Sequence, residues 1–235
     1  MINFIKEFPS YLNRKIKSKK ISYSLTSIDL IVDYIFKKEN GIYIDVGCNH
    51  PVYNNNTYLL NKKGWQGINI DIDEKSIELF DLFRKRDVNL NLAVSSKQTE
   101  LEYINFHEKS PINMIRTAQN QNLYSSEKVK KIKSDTLDSI IENSPYKDKK
   151  IDFISIDVEG HELEVIKGLN IKKYKPSIIV IEYLDTSLKK IEIKNFDLLN
   201  IINSEIYKLM IKNEYHMVNW LHSDLIFAHN SFREG

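Results

Sequence analysis

Two segments about a hundred residues apart constrain this chain most: Ile42-Tyr43-Ile44-Asp45-Val46-Gly47-Cys48-Asn49-His50-Pro51 and Ile151-Asp152-Phe153-Ile154-Ser155-Ile156-Asp157-Val158-Glu159-Gly160-His161-Glu162. Each reads as a buried strand that ends abruptly in acidic and polar residues. In an open parallel sheet, ligands sit outside the carboxyl ends of the strands. One end carries a glycine turn and the other an Asp-x-Glu-x-His cluster, which implies a cofactor pocket beside a chemical site.

The flanking pattern fits such a sheet. At 235 residues the chain has room for one sizeable α/β domain. Leu25, Ile28, Val32, Ile35 and Phe36 fall at helical spacing over 24–38, with Asn40-Gly41 as the stop. Strands are predicted at 42–46, 67–71, 89–94, 151–157 and 178–182, with an accessory strand at 100–104. Between them, helices are predicted at 55–63, at 74–86 capped by Asp73, from Asp135 as cap to 143, and at 161–167 closed by Gly168. A helix over 195–211 precedes two strands, 215–220 and 224–229, whose link is too short for a crossover, so they are antiparallel. The expected fold class is α/β: a Rossmann-like, seven-stranded, mostly parallel sheet with a C-terminal antiparallel hairpin. Residues 1–40 are expected to form a helical lead-in, its basic run Arg14 to Lys20 a solvated face, and residues 41–235 the main domain. The polar segment 106–130, bearing Ser110-Pro111, is the candidate substrate-facing loop or lid.

Composition narrows the function. Lys+Arg 34 against Asp+Glu 32 leaves a net charge of +2, which argues against a dedicated nucleic-acid binder. A single cysteine, Cys48, excludes an internal disulfide and suits a reducing cytoplasm. No stretch approaches the length of a transmembrane helix, and the N-terminus lacks the pattern of a signal peptide. A cytoplasmic protein without an integral membrane segment is expected. The oligomeric state stays open, a homodimer among the options.

At the first strand end, Gly47 allows a tight turn and close approach of a ligand to the backbone. Asp45, just inside the strand, is placed to attract an ammonium group or orient the turn. Asp71 ends the second strand, where an acidic residue can accept both hydroxyls of a ribose. Asn91 to Val94 would wall the adenine. The G-x-G-x-x-G fingerprint is absent, so a pyrophosphate cofactor is disfavoured. S-adenosylmethionine, a nucleoside cofactor without phosphates and with two cationic centres, fits an acidic pocket better.

Asp45-Val46-Gly47-Cys48-Asn49-His50-Pro51, Asp71, Ala93-Val94-Ser95, Thr136-Leu137-Asp138 and Ile156-Asp157-Val158-Glu159-Gly160-His161-Glu162 together resemble, in this order, the FkbM family of S-adenosylmethionine-dependent methyltransferases. The likeness spans roughly residues 41–230 and is most specific at Asp157 to Gly168. It implies a class I methyltransferase fold and methyl transfer, usually to a hydroxyl of a sugar or natural product. By this resemblance Asp45, Gly47, Asn49 and Asp71 hold the cofactor, with Ala93 and Val94 near the adenine, and Asp157 stands where donor and acceptor meet.

An alcohol is a poor nucleophile until its proton is removed or its pKa lowered. A general base achieves the first and a divalent metal the second. Asp157, Glu159 and His161 share one strand-to-helix turn, with Glu182 at the end of the neighbouring strand and His50 across the site. These are the catalytic candidates (Asp157, Glu159, His161, His50) and a metal-ligand set (Asp157, Glu159, His161, Glu182). Glu159 and His161 could equally cap the helix, and His50 could serve the turn before Pro51. Tyr53, Asn55, Asn56 and Thr57 offer contacts to a sugar or sugar-nucleotide acceptor, or form a polar turn and cap. Cys48 reads as a small packing residue. The expected function is O-methylation of a sugar hydroxyl in surface polysaccharide (capsule or lipopolysaccharide) biosynthesis. The rivals are a non-catalytic binding protein of the same fold and a nicotinamide-dependent oxidoreductase.

Overall fold

A computed structural model of the chain describes residues 20–117, 120, 128–183 and 198–234. The strands are β1 (Ile42–Val46), β2 (Gln66–Asp71), β3 (Val88–Asn91), β4 (Ala93–Val94), β5 (Thr99–Ile104), β6 (Met114–Ile115), β7 (Val129–Asp135), β8 (Phe153–Ile156), β9 (Ile178–Glu182), β10 (Tyr215–Leu221) and β11 (Asp224–His229). Seven of them form one sheet in the order β10-β11-β9-β8-β1-β2-β3. The run β9-β8-β1-β2-β3 is parallel, while β11 is antiparallel to both β9 and β10. Crossovers between β1, β2, β8 and β9 put helices on both faces. Strands buried on both sides must then be apolar throughout, as Phe153 to Ile156 and Ile178 to Ile181 are, apart from Ser155.

The helices are α1 (Ile28–Phe36), α2 (Tyr58–Lys62), α3 (Glu74–Phe83), α4 (Leu137–Glu142), α5 (Glu162–Lys167), α6 (Ile171–Tyr174), α7 (Leu198–Asn203), α8 (Glu205–Lys212) and α9 (Asn230–Arg233). Ile28 and Val32 of α1 pack with Leu60 and Trp65 against Tyr43, Phe153, Val180 and Ile226 on one face of the sheet. On the other face Leu137, Ile141, Val165, Ile166, Ile201 and Met210 cover Ile44, Val46, Ile154, Ile156 and Ile181. Adjacent residues of β1 therefore serve opposite cores, as the period of two in a strand requires. Each fully buried side chain of this size contributes roughly 1.5–3 kcal/mol of transfer free energy.

Four local expectations change. The predicted strand 89–94 divides at Leu92: β3 stays beside β2, whereas β4 turns away to pair with β7 in a separate four-stranded sheet, β4-β7-β5-β6. That second sheet takes in part of the segment read as a loop, since β6 and the start of β7 fall within 106–130. The cap of α4 is Thr136, whose hydroxyl accepts from Ser139 N at 3.1 Å, because Asp135 is the last residue of β7. The helix expected over 195–211 is broken at Ser204, which leaves α7 in extended geometry (ψ 152) and caps α8 by accepting from Tyr207 N. Residues 195–197 of that expectation, the basic run 14–19 and part of the 106–130 segment lie outside the described residues. Among the described residues no helix is long and apolar enough to cross a membrane.

Candidate functional site

The carboxyl ends of β1, β2 and β8 open onto a cleft of about 510 Å³. At its floor Gly47 and Cys48 both donate backbone N–H groups to Ile70 O, at 2.9 and 3.1 Å, drawing the turn after β1 onto β2. Gly47 has φ +80 and lies against the Asp157 backbone carbonyl, so only glycine fits. Asp71 is held from two sides, Oδ2 accepting from Asn49 N and Oδ1 from Asp73 N, each at 2.8 Å. Burial pushes its carboxyl up to about 6 despite those two amides. Leu92, Ala93, Val94 and Ile115 give the cleft an apolar wall. Ser110, also in the wall, is buried, and among the described residues its hydroxyl has no hydrogen-bond partner.

A second, wider cleft of about 1120 Å³ adjoins the first and shares Gly47, Asn49, Pro111, Asp157 and Glu159 with it. Here Asp157, Glu159 and Glu182 each bring a carboxylate oxygen within 4.8 Å of the others. Asp157 keeps an exposed edge, yet the protein packed around its carboxyl, and then the Glu182 carboxylate beside it, hold it well above the usual carboxylate range. Burial and the charge of Glu159 push Glu182 to about 8. Asp224 stands opposite Glu182 in the β9–β11 ladder and accepts from Thr26 Oγ1 at 3.1 Å. The turn below the carboxylates uses two left-handed residues, Glu159 (φ 56) and Gly160 (φ 101). Glu162 braces it, Oε1 accepting from Val158 N at 3.1 Å and Gly160 N at 3.0 Å. Left-handed geometry at a non-glycine residue costs about 1–2 kcal/mol and aims Glu159 at the cleft.

Both clefts are roofed by the loop after β5, through Pro111. Asp73 fixes that loop: Oδ1 accepts from Ser76 N as the cap of α3, while Oδ2 accepts from Lys109 N at 2.9 Å and Asn113 Nδ2 at 3.2 Å.

The residues singled out in the sequence divide. Gly47, Asn49, Asp71, Ala93, Val94, Asp157, Glu159 and His161 line the first cleft. Asn56 and Glu182 line the second. Asp45, expected at the cofactor, lines neither: alternation along β1 puts it on the Tyr43 face, where Oδ2 accepts from Asn55 Nδ2 at 3.0 Å and Thr57 Oγ1 at 2.8 Å. Asn55 and Thr57 are thereby buried partners of Asp45 instead of groups facing an acceptor. Tyr53 is exposed and outside both clefts. His50 is turned into its own loop, Nδ1 accepting from Val52 N at 3.1 Å and Tyr53 N at 3.0 Å. His161 stands apart from the carboxylate group, its Nε2 3.0 Å from Ser95 Oγ. Burial lowers its pKa and favours the neutral ring.

Sequence reasoning missed Arg84, which threads the buried side of the turn: Nε donates to Pro51 O at 2.9 Å, Nη1 to Tyr43 OH at 2.8 Å and Nη2 to Asn55 Oδ1 at 2.9 Å. It also missed Ser110, Asp224 and the loop-fixing role of Asp73. The signal available was an arginine at the end of an amphipathic helix, which reads as a surface residue.

Among solved structures, the chain is similar to a precorrin-6y C5,15-methyltransferase from Geobacter metallireducens GS-15, with 7% identity, 89% of this chain and 90% of that one covered, and a TM-score of 0.38. No curated protein matches. Residues 45–216, most of the chain from the glycine turn to the start of β10, match the family described as the Methyltransferase FkbM domain. With its strand order and paired clefts, the chain belongs to the FkbM methyltransferase family.

Proposed function

We propose that this protein is an S-adenosylmethionine-dependent O-methyltransferase acting on a sugar hydroxyl, in the cytoplasm and in the assembly of a surface polysaccharide. The observation that carries the reading is the junction of two clefts at Gly47, Asn49, Asp157 and Glu159. One cleft has the chemistry of an adenosine site: a carboxylate for the ribose at Asp71, an apolar wall at Leu92 to Val94 and an unpartnered hydroxyl at Ser110. The other carries Asn56, Thr26, Ser223 and carboxylates in its lining, groups that suit a polyhydroxylated acceptor.

The donor supplies a sulfonium methyl carbon open to in-line attack. In this reading the backbone at Gly47 and Asn49 and the Asp71 carboxylate orient it toward the junction, so positioning supplies much of the rate. Bound there, the donor would give its methyl to the acceptor oxygen and keep the C–S bonding pair on sulfur. The hydroxyl proton leaves toward the carboxylates of Asp157, Glu159 and Glu182, which stand where it is lost. Asp45, His50, Asn55 and Thr57 shape the turn instead of meeting substrate.

The test is calorimetric titration with S-adenosylhomocysteine, followed by transfer of labelled methyl from S-adenosylmethionine to a panel of sugar nucleotides and oligosaccharides. Binding together with label in a sugar ether supports the reading. Absence of binding removes the donor assignment, and label in an amine or carbon product removes the O-methyl assignment.

A further inference from the structure

We infer that Asp157, Glu159 and Glu182 together hold one divalent cation of the Mg²⁺ or Mn²⁺ type at the mouth of the second cleft. Three carboxylates come from three places in the chain: the end of β8, the left-handed turn that follows it and the end of β9. Each places an oxygen within 4.8 Å of the other two. Three carboxylates at such spacing cannot all stay ionised unless something positive lies among them.

An independent observation concerns Glu182 alone. It is 9% exposed and lines the second cleft. Its Oε1 accepts from Ser223 Oγ at 3.3 Å and its carboxyl lies in hydrogen-bonding reach of Asp157, while among the described residues no donor reaches the buried Oε2. A buried carboxylate oxygen without a donor is costly, and a cation would supply the missing partner.

The donor set decides the kind of ion. All three ligands are carboxylate oxygens, with no thiolate or imidazole among them, which suits hard cations over zinc or copper. Oxygens bound to one ion at about 2.1–2.4 Å lie at most about 4.2–4.8 Å apart. That limit holds for one opposed pair, so the three side chains would draw inward to close on a single ion. His161, turned to Ser95, takes no part. Three protein ligands leave positions open toward the cleft, where the ion would lower the pKa of a hydroxyl presented to it. That last role rests on the acceptor reading above, whereas the cation site itself does not.

The experiment is electron paramagnetic resonance titration of chelator-treated full-length protein with Mn²⁺, reading loss of the free-ion signal. The wild type is expected to bind one Mn²⁺ per chain, displaced by excess Mg²⁺. Glu182→Gln and Glu159→Gln should each weaken Mn²⁺ at least tenfold, with circular dichroism checking the fold of both. Asp71→Asn should bind Mn²⁺ like the wild type while losing affinity for S-adenosylhomocysteine. No uptake by the wild type overturns the inference and leaves a proton shared among the carboxylates. Uptake unchanged in both Gln variants overturns it by placing the ion elsewhere. Mn²⁺ binding without any S-adenosylhomocysteine binding would keep the cation site and remove the methyl-transfer reading.

Discussion

The backbone of Gly47 lies so close to the carbonyl of Asp157 that a Cβ on Gly47 would overlap that oxygen. The two residues end neighbouring parallel strands, and their approach joins the two clefts. Gly47→Ala must adopt φ +80 and displace Asp157 as well. We expect a loss of about 2–5 kcal/mol in stability and of S-adenosylhomocysteine binding, read by urea unfolding and calorimetry. A well-folded Ala variant with unchanged affinity would disprove this account of the turn.

On the proposed reading, in which Asp71 receives the donor ribose, donor binding should depend on pH. Ribose hydroxyls donate best to its ionised form, so affinity should be flat above neutral pH and fall as pH drops through about 6. For stability the sign is opposite. Its native pKa is raised from 3.8 to about 6, so the stability conferred by its bound proton is present at acid pH and lost as pH rises through about 6. Asp71→Asn should weaken S-adenosylhomocysteine about 10–100-fold, from lost hydrogen bonds to a charged acceptor, and remove the acid limb of the binding profile. A profile unchanged in the variant would assign that limb to another group.

Arg84 and Asp87 are both fully buried, 3.8 Å apart, and share Tyr43 as a hydrogen-bonding neighbour. Arg84→Met leaves the Asp87 charge uncompensated and frees Asn55 and Pro51 from their donor. The expected cost is about 3–5 kcal/mol, measured by urea unfolding. A cost below about 1 kcal/mol would mean the network rearranges without its guanidinium.

His161 faces the first cleft and Ser95, away from the carboxylates. His161→Gln should therefore weaken donor binding severalfold and leave single-turnover methyl transfer at saturating donor within about tenfold. A fall of 10²–10⁴ in that rate, the range of a lost general base, would make His161 the proton acceptor.

Much of the main sheet was legible because parallel strands covered on both faces leave short apolar runs: β1 and β9 match their expected limits. β7 was not legible. Its sequence, Val-Lys-Lys-Ile-Lys-Ser-Asp, is mostly polar, and its partner β5 lies 30 positions earlier, with Lys131 Nζ reaching Glu100 Oε1 at 2.7 Å across the pair. Such a strand is specified by a distant neighbour instead of by its own pattern. The same limit explains the site. A buried polar residue facing a ligand and one facing another polar side chain look alike in sequence, so Asp45, Asn55 and Thr57 read as binding groups until their mutual hydrogen bonds were located. Asp71, Asp157 and Glu182 line the clefts as the sequence suggested, because each lies at or just after the carboxyl end of a strand.

Asp73 has a kinetic consequence. One of its oxygens ends α3 and the other grips the loop carrying Pro111, while its own N–H is held by Asp71. On the proposed reading, a donor held by Asp71 and the loop over the second cleft are linked through this one side chain. Turnover should follow a compulsory sequence, donor before acceptor, with S-adenosylhomocysteine competitive against S-adenosylmethionine and noncompetitive against the acceptor. Asp73→Ala should convert that pattern toward random order.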